Sequence, residues 1–291
     1  MDNNQETDRD KFGEALNAQR FQMLEDIAKE LKGDVVFPTY FDADIRLRKA
    51  LQDPDLPTAQ VARIVSLEPL IAAKLMKLAN SVLYNPQGVA IRNLPAAITR
   101  IGFNQVRAAS LAIAMNQMMR SKEMVGFSDL TRALWVHSLK TAVASRLLAS
   151  IHTKINPDEA QLAGLVHDLG AFYMLYRATQ YAELRHRPET IKYLIVQWHE
   201  SIGSTLLNAL GLPEAIVEAS VDHDQPRPVP DPIRTLTEVV YIANVLTGAR
   251  FEWLLQDLDM EAGNLKLIHE TFGELLPQIE AEANEMQAIF A

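Results

Sequence analysis

Four histidines stand where a polar side chain needs a reason. His137 lies in LWVHSL, His167 in LAGLVHDLGAF and His199 in VQWHESIG, while His223 follows in EASVDHDQP. The first three surroundings are strongly apolar, and a buried imidazole must find hydrogen-bond partners or a metal ion. Three of the four are followed directly by a carboxylate, Asp168, Glu200 and Asp224. Imidazole nitrogens combined with carboxylate oxygens suit Fe, Mn, Zn or Ni. From the residues alone, a divalent metal site and a hydrogen-bonded histidine core both stay open. His152, His186 and His269 sit in polar surroundings and read as surface residues.

The elements that must bring these residues together read as helices. The intervals 137 to 167, 167 to 199 and 199 to 223 are 30, 32 and 24 residues. Each is about the length of a helical hairpin, so a bundle can aim its histidines at one centre. An apolar stripe at Phe21, Leu24, Ile27, Ala28 and Leu31 predicts a first helix ended by Gly33. Thr58 is the expected cap of a helix to Ser66, and Glu68-Pro69 opens the next, which ends at Asn80-Ser81. Leu94-Pro95 starts a helix that stops near Gly102, and Phe103 to Met119 continues it as an apolar helix. Ser128-Asp129, Asn156-Pro157, Pro188-Glu189 and Pro213-Glu214 each mark a further start. PRPVPDP, residues 226–232, reads as an extended connection. Strand signals are confined to Val35-Val36-Phe37, cut short by Pro38. Neither a dinucleotide nor a P-loop glycine motif is present. The expectation is an all-α, two-lobed protein: a helical lobe over 1–120 and a helical bundle over 121–291. Trp135, Trp198 and Trp253 are expected in the core or between the lobes.

Composition narrows the function. The 291 residues are 48% apolar, enough for a packed core. Without cysteine there is no disulfide scaffold, iron–sulfur cluster or cysteine nucleophile. Apolar runs stay well short of the ~20 residues of a membrane span, so a soluble, cytoplasmic protein is expected. Net charge is −9. Residues 252–291 hold nine acids against Lys266, and residues 33–120 hold ten bases against six acids. This acidic balance argues against avid nucleic-acid binding. The acidic terminal helices, about 261–271 and 274–289, are expected to pack on the second lobe or to form a partner surface.

The adjacent His167-Asp168, in an L-x-x-L-x-H-D-[LI]-G setting, resembles the HD superfamily of metal-dependent phosphohydrolases. His137 matches the first histidine of that pattern, and His199 and His223 match the further histidines of its two-metal, HD-GYP-like branch. The preceding segment sharpens the likeness. EPLIAAKLMKLANS and AAITRIG resemble the helices that open the HDOD domain, the HD-related output domain, and the likeness spans about residues 35–248. The resemblance implies an HD-like bundle and a regulatory, signal-transducing role of bacterial type, with a protein partner in a signalling pathway. It also implies metal ligands at His137, His167, Asp168, His199 and His223, with Asp224 or Asn244 as further candidates.

Two departures bear on activity. Where the family supplies a final Asp ligand, this chain has Asn244 in IANVLTG, and a neutral amide does not offset a cation's charge. Where active HD-GYP-like members carry a phosphate-contacting Lys after the HD pair, this chain has Ala171. A non-catalytic module with a degenerate metal centre is therefore the expectation. The alternatives are a metal-dependent phosphohydrolase acting on a nucleotide or cyclic dinucleotide, with Asp168 as its catalytic residue, and a nucleic-acid-binding regulator using Lys74, Lys77, Arg100 and Arg107. Visible sensor or receiver patterns are lacking, which implies input from a separate protein or a ligand.

Overall fold

The computed structural model describes residues 14–32, 41–51, 53, 56–225, 227–248 and 262–290. Val35-Val36-Phe37 and Trp253 lie outside the described residues. Helices carry the whole architecture, and there is no strand among the described residues. In chain order they are α1 (Glu14–Lys32), α2 (Asp42–Ala50), α3 (Thr58–Ser66), α4 (Pro69–Ala79), α5 (Leu94–Met119), α6 (Ser128–His152), α7 (Pro157–Val166), α8 (Leu169–Ala178), α9 (Pro188–Ala209), α10 (Glu214–Ala219), α11 (Leu236–Leu246), α12 (Ala262–Phe272) and α13 (Leu276–Phe290).

Local signals place most of the ends. Asn156 Oδ1 accepts from the backbone N–H groups of Asp158 and Glu159, with Pro157 at the first helical position of α7. Thr235 and Glu238 form a reciprocal capping box at the start of α11. Gly102, at φ 77°, breaks α5 into two helical stretches, a conformation open to glycine without strain. Two expected caps shift by a residue. Pro57, not Thr58, holds the cap position of α3, and Phe127 precedes α6 without a side-chain cap bond. The stripe on α1 also turns: Leu16, Met23 and Ile27 are buried, while Phe21 is 79% exposed. A stripe counted from apolar residues alone misses which face the neighbouring helices cover.

The first lobe packs α2, α3 and α4 around α5. The second packs α6 against α7 and α8 against α9, with α10 and α11 closing the bundle. The C-terminal half of α5 is buried almost all round and touches α6, α7 and α8, so it joins the lobes. α1 rests on α8 and α9, where Asp26 accepts from Tyr181 and Glu30 pairs with Arg177. α13 spans both lobes, meeting α6 as well as α4 and α5. Glu280 pairs with Lys140 and Glu282 with Arg146, and Phe290 meets Trp135 edge-on at 6.1 Å. Burial of each such aromatic contributes about 1.5–3 kcal/mol. Trp198, by contrast, is 45% exposed on α9, outside the core.

Two glycine crossings bring the histidine-bearing helices into close contact. A Cβ on Gly164 would lie 2.5 Å from Ser145 Oγ and 2.6 Å from Thr141 O, so α7 meets α6 with backbone almost touching side chain. A Cβ on Gly170 would lie 1.9 Å from His199 O and 2.6 Å from Gly203 N. α8 and α9 therefore cross backbone to backbone, next to Asp168 and His199.

Candidate metal centre

α6, the α7–α8 junction, α9, the turn after α10, and α11 each deliver one part of a buried polar cluster. His137 comes from α6, His167-Asp168 from the junction, His199 from α9, His223-Asp224 from the turn and Asn244 from α11. All seven predicted residues converge. His137, His167, Asp168, His199, His223 and Asn244 are buried, and Asp224 has a side chain 12% exposed.

Three of the imidazoles are held in one way. Nδ1–H of His167 donates to Gly164 O at 2.8 Å, that of His199 to Ile195 O at 2.7 Å and that of His223 to Ser220 O at 3.0 Å. A carbonyl can only accept, so each Nδ1 carries the proton and each neutral ring turns its Nε2 lone pair inward. Those three Nε2 atoms surround Asp168. His167 lies 3.2 Å from Oδ2, while His223 and His199 lie 3.3 and 3.7 Å from Oδ1. The Nε2 atoms of His199 and His223 are only 3.4 Å apart, and Asp224 Oδ2 approaches them at 3.4 and 3.7 Å.

Lone pairs aimed at a carboxylate and at one another need a cation between them. Without a metal the cation is a proton. Burial opposes it on His223, but the charge of Asp224, the hydrogen bond to Asp168 and its charge push that imidazole up to about 10. His199 is raised in the same way, with burial outweighed by Asp224 and Asp168. Against their own burial, the carboxyl of Asp168 is held well below its usual range by His167 and His223, and that of Asp224 is lowered to about 2 by His223 and His199.

His137 is held differently. Asn244 Nδ2 donates to His223 O at 3.1 Å and to Asp224 Oδ1 at 2.9 Å. Both partners are acceptors, which fixes the amide's orientation and turns Oδ1 toward His137 Nε2 at 2.9 Å. That nitrogen must then donate, so its lone pair is not offered to the centre. Burial first, and the His167 charge second, lower the His137 pKa to about 4.

The residues present fit a divalent ion. Histidine ligands anchored through Nδ1 to carbonyls are the arrangement that orients metal-binding imidazoles. His167 Nε2 and Asp168 Oδ2 are buried without a hydrogen bond. Ligand atoms of His199, Glu200, His223 and Asp224 fall within 4.8 Å of one another, as do those of His137, His167 and Asp168. Glu200, directly after His199 in the chain, brings its Oε1 to 3.8 Å from His223 Nδ1. The glycines at 164, 170 and 203 were not singled out for close approach. Their signal, a small residue on each helix beside a ligand, becomes specific only once the crossings are known.

Comparisons with known proteins bear on the family and the fold. The HDOD domain matches residues 37–226. A protein of Treponema pallidum (strain Nichols), uncharacterized, is 22% identical over 215 residues, covering 69% of this chain. The chain spans 40% of that relative's length. The crystal structure of a candidate metal-dependent phosphohydrolase from Shewanella amazonensis SB2B superposes with a TM-score of 0.71 at 25% identity, covering 94% of this chain and 100% of the other. An HDOD domain protein of unknown function from Geobacter sulfurreducens shares the fold, with a TM-score of 0.56 at 20% identity over 92% of this chain and 98% of the other. So does a candidate signal transduction protein from Marinobacter aquaeolei VT8, with a TM-score of 0.56 at 18% identity over 97% and 68%. No described helix is long and apolar enough to cross a membrane.

Proposed function

The chain belongs to the HDOD domain family, and from that membership we propose that it is a non-catalytic signalling module whose buried His/Asp centre holds a divalent metal. His167, His199 and His223 would hold the ion through Nε2, together with Asp168 and Asp224. When bound, such an ion supplies Lewis-acid charge and can lower the pKa of a bound water. The observation that carries the non-catalytic reading is the Asn244 amide. Its Nδ2 donates to His223 O and Asp224, and its Oδ1 accepts from His137 Nε2–H, which would keep His137 out of the ligand set. Ala171, buried at the position of the family's phosphate-contacting lysine, brings no charge to a phosphoryl group.

A second reading, phosphohydrolase, draws support from a cleft of about 780 Å³ that opens at His137 and is lined by Arg132, Lys140 and Lys192. Two of those cations are already engaged, Lys140 by Glu280 and Lys192 by Glu189, which weakens the cleft as a phosphate site. Nucleic-acid binding has less behind it. Of its four candidate bases, Lys77 is tied to Ala288 O, and Arg107 lies half-buried against Asn104 and Leu51 O.

The test is elemental mass spectrometry on protein purified without chelator or added metal, beside a His167→Ala, Asp168→Ala double variant and a screen of nucleotides and cyclic dinucleotides. The expected result is near-stoichiometric metal in the native chain, none in the variant, and no turnover. Turnover that disappears in the variant would establish the hydrolase instead. A folded native chain without metal would sink the metal centre.

A further inference from the structure

A second pocket, of about 300 Å³, opens where α2 and α5 of the first lobe meet α7 and the turn into α10. Its described lining includes no residue of the histidine centre. Its charges are unbalanced locally. Arg107 on α5 is half-buried, yet among the described residues its guanidinium donates only to neutral oxygens, Asn104 Oδ1 at 2.9 Å and the carbonyl of Leu51. Burial and the neighbouring Arg48 both lower its pKa, the signature of a cation short of a counter-charge. Arg48 cannot be recruited, because it is paired with buried Asp44 at 2.7 Å, which Ser110 also bonds.

The first turn of α7 brings two carboxylates to the same pocket. Asp158 accepts the Gln105 amide at 2.8 Å and has no ion pair, while Glu159 has neither side-chain hydrogen bond nor ion pair among the described residues. Leu162 and Ile216 supply an apolar wall. One uncompensated cation against two carboxylates disfavours a phosphate or nucleotide, whose charge the acids repel. A ligand carrying both signs satisfies every group.

We propose that this pocket binds a small zwitterion of the amino-acid kind. Its carboxylate sits on the free N–H groups of Arg107 and the Asn104 amide, its ammonium on Glu159, and its apolar side chain on Leu162 and Ile216. The ligand would bridge the lobes. It would also rest on α7, which ends at His167, and on α10, which leads to Ser220 and His223. This binding does not depend on the metal centre.

Calorimetric titration of the full chain with each proteinogenic amino acid singly tests the site. N-acetyl and methyl-ester forms, inorganic phosphate and AMP serve as controls. At least one amino acid should bind, and blocking either end should weaken it about ten-fold or more. Glu159→Gln and Arg107→Gln should each weaken it similarly. If Arg107→Gln does not fold, Glu159→Gln carries the test alone, because that side chain holds no structural bond. The proposal is overturned if no amino acid binds the folded chain, if binding survives the substitutions, or if phosphate or AMP binds in an Arg107-dependent way.

Discussion

His137 and His223 are both enclosed imidazoles on the same centre, and their ring nitrogens are used in opposite ways. His223 gives Nδ1–H to a backbone carbonyl and aims Nε2 at Asp168, so it holds a cation, and its pKa is pushed up to about 10. His137 gives Nε2–H to an amide oxygen and stays neutral, with a pKa lowered to about 4. Burial opposes the charged form on both rings, and the neighbouring oxygen decides the outcome. A carboxylate calls for a cation, whereas an amide with both donors spent calls only for a proton donor. One residue, Asn244, thus divides a four-histidine centre into a cationic side and a neutral side.

Separating α8 from α9 should erase this contrast most completely. In Gly170→Ala the new methyl would lie 1.9 Å from His199 O, on backbone that cannot yield. Loss of more than about 3 kcal/mol, or failure to fold, is expected by denaturant titration. Gly273→Ala, where nothing lies within 4 Å, should stay within about 0.5 kcal/mol and serves as the control. Asp168→Asn comes next, since it removes the charge shared by three Nε2 atoms. Bound metal should be lost, and the chelated protein should lose about 3–5 kcal/mol.

Asn244→Asp sharpens the contrast. A carboxylate there would face two acceptors, His223 O and Asp224 Oδ1, where the amide now donates. The metal-free variant should be about 1–3 kcal/mol less stable than the native chain, and added Mn or Zn should recover the loss. Equal stability without metal would show that the amide is oriented otherwise. A further effect is in pH. The folded pKa of His137, about 4, lies below its ordinary 6.5, so unfolded chains bind more protons between those values. Its contribution is present above pH 6.5 and is lost as pH falls toward 4. A chelated-protein denaturation series should show that slope, and His137→Gln should flatten it.

The four histidines and their adjacent carboxylates were legible in the chain, spaced by hairpin lengths with three of the histidines in apolar surroundings, whereas Asn244 stood out only through the family resemblance. Helix starts at Pro157, Pro188 and Glu214 were equally plain, because capping and proline signals act within one turn. The face of α1 was not: Phe21 belongs to the counted stripe but points to solvent, since α8 and α9 cover the side of Met23 and Ile27. Neither Trp198 nor the Arg107 pocket could be placed, because exposure is settled by which helices arrive from far along the chain.

Asn244 shows the same boundary at one residue. Its type, and the missing negative charge, could be read directly from the sequence. Its orientation could not, since that depends on Asp224 and the His223 carbonyl reaching its Nδ2 from another element. Residue type and local helix signals are properties of the chain, and they determined an all-α bundle carrying histidines and carboxylates. Which imidazole carries a cation, which stays neutral and which charges are left uncompensated between the lobes are properties of distances across the fold. Tertiary packing alone decides them, because electrostatic and hydrogen-bond energies depend on separations that sequence spacing does not specify.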